Sequence, residues 1–274
     1  MSEKRSMAAS ELSDLQAEQQ WQEQEYSRLA VARTDARVVA RYLTPSGRKP
    51  IFRREFLFHC LLPVGGLEIL ELGCGTGTTT SLLARAGARM TSVDISNQAI
   101  ALARERARLD GVEDRCEFRV APLQQLVLDG RRFDLVLADS VLHHLIPDLP
   151  ETLASIRSAL RPGGRAVFVE PLNLFPPLRK LRLALPIGVR GSPGERPLEQ
   201  AEIDLICKAF SRVKIDYFSL VARLSPFVWG GAYEEGSALA RSLSYSLHAI
   251  DWFVLHNLQV LQRLASYAVM QCWE

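Results

Sequence analysis

ILELGCGTGTTT, Ile69 to Thr80, is the stretch on which the reading turns. An apolar, strand-prone run (Leu67 to Leu72) enters a glycine-rich turn and leaves it as a helix-compatible segment, Thr78 to Ala86. Gly73, Gly75 and Gly77 at such a junction let the backbone turn tightly and come close to a ligand. The order is E-x-G-x-G-x-G, led by Glu71. It is neither the G-x-G-x-x-G of dinucleotide folds nor a P-loop, which needs a Lys-Ser/Thr after its last glycine. An acid ahead of the glycines suits a ligand with an ammonium group and no phosphate.

Outward from this stretch, strands and helices alternate. Arg89 to Asp94 reads as a second strand, Asn97 to Leu109 as helix with Asp110-Gly111 as its stop, and Cys116 to Val120 as a third strand. Phe133 to Ala138 (FDLVLA) is a fourth and more apolar strand. Leu149 to Leu160 is helical and ends at Arg161-Pro162-Gly163-Gly164, read as a turn. Arg165 to Glu170 is a fifth strand. Strands joined by single helices imply right-handed crossovers and a mostly parallel sheet. Asp94 ends the second strand about 20 residues after the glycines, where a carboxylate accepts the hydroxyls of a ribose.

The flanks are less regular. Glu11 to Leu43, without Gly or Pro, suits helix, and a short helix follows at Arg53 to Leu62. Leu172 to Pro197 is proline-broken and basic, with Arg179, Lys180, Arg182, Arg190 and Arg196 against Glu195. Then come a helix (Leu198 to Phe210), a strand (Val213 to Leu220), a long amphipathic helix (Ser237 to Leu264) and a closing strand (Tyr267 to Trp273).

Composition narrows the function. The 274 residues are 47% apolar and 23% charged with a formal net charge of +2. This is an ordinary globular balance, without the basic excess of a nucleic-acid binder. Cys60, Cys74, Cys116, Cys207 and Cys272 stand alone, so no dithiol, zinc or disulfide framework is expected, and reduced thiols point to a cytoplasmic protein. No His, Asp, Glu or Cys set has metal-ligand spacing. The N-terminus lacks the apolar core of a signal peptide. Leu243 to Met270 is interrupted by His248, Asp251, His256 and Arg263, so no transmembrane segment is expected.

With these residues in view, the sequence resembles the class I S-adenosylmethionine-dependent methyltransferases, in their small-molecule branch. ILELGCGTG is similar to their first motif and SVDIS (Ser92 to Ser96) to their ribose-binding strand. FDLVLADSVLHHL (Phe133 to Leu145) resembles their fourth-strand motif, and LRPGGRAVFVEP (Leu160 to Pro171) their fifth. The resemblance implies an α/β, Rossmann-like fold with a seven-stranded, mostly parallel sheet and helices on both faces. The last strand would be antiparallel, and helical additions would form lids. It implies S-adenosylmethionine as cofactor, with S-adenosylhomocysteine as product. Glu71, Gly73, Cys74, Gly75 and Gly77 would surround the methionine moiety. Asp94 would hold the ribose, and Ile95, Ala121, Pro122 and Leu123 the adenine. Asp139 and Ser140 would lie beside the sulfonium, and Arg53 and Arg54 would either bind the methionine carboxylate or form a solvated basic face.

Methylating a hydroxyl benefits from a base near neutral pKa, and one of His143 or His144, following the fourth strand, is the candidate. The Asn/Asp-Pro-Pro-aromatic run of amino-group methylation on nucleic-acid bases is absent, as is a Pro-Cys nucleophile. The expected acceptor is small and lipophilic or aromatic, methylated at oxygen. An RNA or protein methyltransferase, or a non-catalytic cofactor-binding scaffold, stays open as the alternative. The expected organisation is a helical lid (1–62), a cofactor-binding core (63–171) and a completing region (172–274). That last region holds an acceptor-binding insertion at about 221–264, rich in Phe227, Trp229, Tyr233, Tyr245, Trp252 and Phe253. A peripheral membrane contact fits a lipid-like acceptor.

Overall fold

The apolar runs at 69–72, 133–138 and 166–169 become strands covered on both faces of the sheet. In the computed structural model, which describes residues 16–125, 130–175, 177, 195–222 and 237–274, seven strands form one sheet. They are β1 (Glu68–Leu72), β2 (Arg89–Asp94), β3 (Cys116–Val120), β4 (Phe133–Asp139), β5 (Leu160–Pro171), β6 (Arg212–Phe218) and β7 (Tyr267–Trp273), in the order β3-β2-β1-β4-β5-β7-β6. β1 to β5 pair in parallel, and β7 runs antiparallel between β5 and β6. The expected doubly wound sheet with an antiparallel last strand is what forms.

The helices are α1 (over 16–26), α2 (Ala36–Leu43), α3 (Arg53–Leu61), α4 (Thr78–Arg85), α5 (Asn97–Asp110), α6 (Leu149–Ala159), α7 (Gln200–Ala209) and α8 (Ala238–Asn257). Along β4, Leu135 and Leu137 face one layer with Phe56, Phe58, Leu82, Leu83 and Ile100 of α3, α4 and α5. Val136 and Ala138 face the other, with Leu149, Leu153, Ile156, Ile203 and Ile206 of α6 and α7. Burial on both faces explains why FDLVLA is continuous rather than alternating in hydrophobicity. α3 belongs to this core: Leu57, Phe58 and Leu61 are essentially inaccessible. β1 sits between β2 and β4, so the loops after β1 and β4 leave the sheet on opposite sides. This opens the crevice in which such folds bind ligands.

Three expectations are corrected. The helical run Glu11 to Leu43 is interrupted over 27–35. There Thr34 donates its N–H to Asp110 Oδ1 at 2.8 Å, and Asp35 caps α2 by accepting the Arg37 N–H at 2.6 Å. Anchoring to the end of α5 outweighs the small propensity differences that favoured one helix. The Arg161–Gly164 turn lies inside β5, as a register shift in its pairing with β4 between Phe133 and Leu135. The long C-terminal helix ends at Asn257 and continues, past Leu258, as a 3-10 turn over Gln259–Leu264. Phe227, Trp229, Tyr233 and the basic residues Arg179, Lys180, Arg182 and Arg190 lie outside the described residues. No described helix is long and apolar enough to cross a membrane.

Candidate active site

The loop after β1 is shaped by backbone geometry. Gly73, Gly75 and Gly77 take φ of 65°, 52° and 72°, and Gly77 caps α4. A Cβ on Gly73 would stand 2.4 Å from Val141 Cγ2, so this glycine lets the β1 and β4 loops touch. Cys74 is buried and donates its N–H to the Val93 carbonyl at 3.1 Å, tying the loop to β2. Asp94 is buried at the tip of β2. Its Oδ2 accepts the Gly75 N–H at 2.8 Å and its Oδ1 the Ser96 N–H at 3.0 Å. Burial holds its pKa above the usual carboxylate value, against the pull of the backbone donors at Ser96, Gly75 and Ile95. Ala121 donates its N–H to the Asp94 carbonyl at 3.0 Å, which places Ala121, Pro122 and Leu123 beside half-buried Ile95.

Glu71 lies beneath the loop, accepting hydrogen bonds from the hydroxyls of Thr80 and, at 3.2 Å, Ser92. Burial pushes its pKa up to about 7, against those two donors. Because the folded pKa is raised, its neutral form stabilises the protein fully below about pH 4.5, and that contribution is lost as pH rises through about 7. Glu71→Gln keeps the neutral shape at every pH. Wild-type stability, followed by urea denaturation, is therefore expected to fall by about 3 kcal/mol more than the variant's over this window. Parallel curves would disprove the buried, proton-retaining carboxyl.

The loop after β4 separates the two candidate histidines. Ser140 takes a φ of 63°, uncommon without glycine, with its N–H on the Val169 carbonyl at 2.7 Å and its hydroxyl on Asp139 at 3.2 Å. The fully buried Glu170, at the end of β5, accepts the N–H groups of Val141 and Leu142 through Oε1, at 2.9 and 2.7 Å. His143 lies between two carboxylates, Nδ1 2.7 Å from Glu170 and Nε2 2.9 Å from Glu195. Burial works against the charged ring, yet these carboxylates outweigh it and push the pKa up to about 9. Both ring nitrogens of His143 are thus engaged by carboxylates that favour its charged form. His144 stacks on it with ring centroids 4.2 Å apart. Burial and the His143 charge keep His144 below its ordinary pKa, against the pull of Glu18, Glu195 and Glu170. Of the pair, His144 is the ring held toward its neutral form. The fold draws one donor atom each of His143, His144 and Glu195 within 4.8 Å, a grouping that sequence spacing did not show.

α1 contributes residues that the sequence did not single out. Glu23 caps α5, accepting the N–H groups of Asn97 at 2.7 Å and Gln98 at 3.0 Å and the Ser96 hydroxyl at 3.1 Å. Negative charge at a helix N-terminus is favourable. Tyr26 lies over the loop, its hydroxyl 3.0 Å from where a Cβ on Gly75 would be. Glu18 Oε1 approaches His144 Nδ1 to 3.4 Å. One signal was legible: Glu170 directly follows the apolar run Ala166 to Val169, and a buried charge there needs partners. Of the two arginines, Arg54 is near enough to Glu71 to bias its proton. Arg53 lies 3.9 Å from the Tyr267 ring, with its Nη1 buried and without a hydrogen-bond partner. Of the aromatic residues of α8, Trp252 packs on Phe56 and Phe218, while Tyr245 and Phe253 are exposed.

Comparisons with known proteins agree with this geometry. Residues 69–164 match the model of a methyltransferase domain. The chain is 36% identical over 102 residues to a ubiquinone biosynthesis O-methyltransferase of Methylobacterium sp. (strain 4-46), covering 37% of this chain and 40% of that one. It is 33% identical over 118 residues to the methyltransferase GfsG of Streptomyces halstedii, 42% of each chain. Those alignments span about two-fifths of the relatives' own lengths. Among solved structures, an S-adenosylmethionine-dependent methyltransferase from Mesorhizobium loti superposes with a TM-score of 0.52 at 19% identity, over 80% of this chain and 97% of the other. A cyclase, SpnF, superposes equally well (0.52, 17% identity, 90% and 99%), so the fold alone does not name a reaction. Over residues 69–164 the chain is thus similar to a methyltransferase domain, and that stretch lies within a doubly wound, Rossmann-like sheet.

Proposed function

We propose that the protein transfers the methyl group of S-adenosylmethionine to a hydroxyl oxygen of a small, lipophilic or aromatic acceptor. The observation that carries this reading is Asp94, a buried carboxylate beside a three-glycine cradle, held by one N–H on each oxygen. A carboxylate offers about four lone-pair sites, so two remain for a ribose diol. Gly73, Cys74, Gly75 and Gly77 would accept the methionine moiety, with Glu71 behind them. Ile95, Ala121, Pro122 and Leu123 would line the adenine, and Asp139 and Ser140 the sulfonium. The spare guanidinium nitrogen of Arg53 suits the methionine carboxylate.

When bound, S-adenosylmethionine supplies a methyl already activated on a sulfonium, so rate enhancement comes from alignment and dryness. α1, lying over the glycine loop, excludes water. His144 takes the proton of the acceptor hydroxyl, while His143, fixed by Glu170 and Glu195, holds the loop that presents it. The relatives named for ubiquinone-biosynthesis O-methylation support oxygen as the accepting atom. A cytoplasmic protein touching a membrane surface fits this acceptor, since α8 exposes Leu239, Leu243, Ile250 and Phe253 at one-face spacing.

Calorimetric titration with S-adenosylmethionine and S-adenosylhomocysteine tests the reading. Wild type is expected to bind in the micromolar range, and Asp94→Ala to lose roughly a hundredfold, the worth of two charge-assisted hydrogen bonds. Equal affinity for both proteins, with folding checked by circular dichroism, would remove the proposal's foundation.

A further inference from the structure

We infer that Glu18, on the N-terminal helix α1, is the positioning residue for His144: its carboxylate holds the Nδ1–H form of the ring and so leaves Nε2 as the proton acceptor. The inference rests on the methyl-transfer reading of the site. Glu18 Oε1 lies 3.4 Å from His144 Nδ1, an ion-pair approach that shortens to a hydrogen bond when the ring turns its N–H to the carboxylate, and about a fifth of each side chain is exposed. The same oxygen accepts the Gln22 amide at 2.9 Å, one helical turn on, which fixes the carboxylate where the ring meets it. Other charged groups facing His144 are His143 on its own loop, Glu170 at the end of β5 and Glu195 ahead of α7. Both of those carboxylates are already hydrogen-bonded to His143. Glu195 also comes within 4.8 Å of the second ring, but Glu18 is the carboxylate that pairs with its Nδ1.

The chemistry follows from the two nitrogens. A neutral imidazole donates through one and accepts through the other, and a carboxylate on Nδ1–H selects the tautomer whose Nε2 carries the lone pair. In the step, the acceptor's O–H bond breaks, its proton forms a bond to Nε2, and its electron pair stays on the oxygen that takes the methyl group. The resulting imidazolium is stabilised by Glu18, the division of labour seen wherever a carboxylate orients a histidine base.

Delivery by α1 adds a consequence. This helix also caps α5 through Glu23, immediately after Asp94, and lays Tyr26 over Gly75. One helix therefore touches the ribose side, the glycine loop and the base. The base is oriented only while the site is covered, which couples the exclusion of water to proton acceptance.

Nitrogen-15 spectra of the histidine-labelled full chain test this without an acceptor. His144 is assigned by its loss in His144→Gln. His248 and His256, whose Nδ1 atoms lie 2.8 Å from the carbonyls of Ser244 and Trp252, serve as references for the Nδ1–H ring. In wild type His144 is expected as the Nδ1–H tautomer. Glu18→Gln, which keeps an acceptor oxygen without the charge, should retain that tautomer but titrate at lower pH. Glu18→Ala should lose the tautomer as well. With catechol as acceptor, kcat of Glu18→Ala should fall roughly tenfold, less than at a fully buried orienting carboxylate. The acid limb of its pH profile should move to lower pH, a shift that mere loosening of α1 would not produce. An unchanged His144 tautomer in Glu18→Ala, or an unmoved midpoint in Glu18→Gln, overturns the inference. Undiminished cofactor binding by Asp94→Ala would instead overturn the methyl-transfer reading, leaving the histidine spectra to decide Glu18 separately.

Discussion

Replacing His143 with alanine is expected to cost about 3–5 kcal/mol of folding stability, the range for removing one partner of a buried ion pair. The partner left behind is Glu170, which has no solvent exposure. Its Oε1 would keep the N–H groups of Val141 and Leu142, but Oε2 would face a hole where an imidazolium had been. Urea denaturation would read the loss directly, and a cost under about 1 kcal/mol would contradict the charged, paired state. The pH dependence supplies a second reading. The folded pKa of His143 is raised from 6.5 to about 9, so its contribution is fully present below about pH 6.5 and lost as pH rises through about 9. Wild-type stability should decline across that window by about 3 kcal/mol, and His143→Gln should lack the decline. His144→Gln should show the opposite profile, with near-native stability and a loss of kcat on the order of a hundredfold.

Gly77→Ala is expected to be comparably severe, at about 2–4 kcal/mol, with loss of cofactor binding. Two costs add. At φ of 72° a side chain pays about 1–2 kcal/mol for the left-handed conformation. A Cβ there would also lie 2.8 Å from the Ala103 Cβ and 2.9 Å from its Cα. Backbone cannot rotate away, so α4 and α5 would have to separate and carry the glycine loop with them. Gly111→Ala is the control. It has a φ of 69° and nothing within 4 Å of the added carbon, so it should show the conformational cost alone. Thermal or urea denaturation of the two variants isolates the crowding term, and equal losses would refute it.

The contrast between His143 and His144 shows where sequence reading stops. Adjacent in the chain and identical in type, they were one undivided candidate. What separates them is a carboxylate 27 residues on (Glu170), another 52 residues on (Glu195), and a third on a helix at the other end of the chain (Glu18). Protonation state follows from those neighbours, and neighbours that distant become neighbours only through strand order. The same holds for the interruption over 27–35. Its residues are compatible with helix, and the competing bonds come from Asp110, far along the chain.

What the sequence by itself determined is the part governed by local physics. The bounds of β2 and β3 were read to the residue, and those of β1, α4 and α5 to within one, because hydrophobic runs, glycines and caps act within a few residues of themselves. Asp94 beside Gly75 was legible for the same reason: a strand, a turn and a helix of ordinary length bring one to the other. Only the tertiary structure decided that His143 sits between two carboxylates, that Glu18 approaches His144, and that Tyr26 of α1 lies over the glycine loop. Each is an electrostatic or packing relation between segments joined by no short connection. Such relations depend on the relative placement of sheet and helices, which no local pattern encodes.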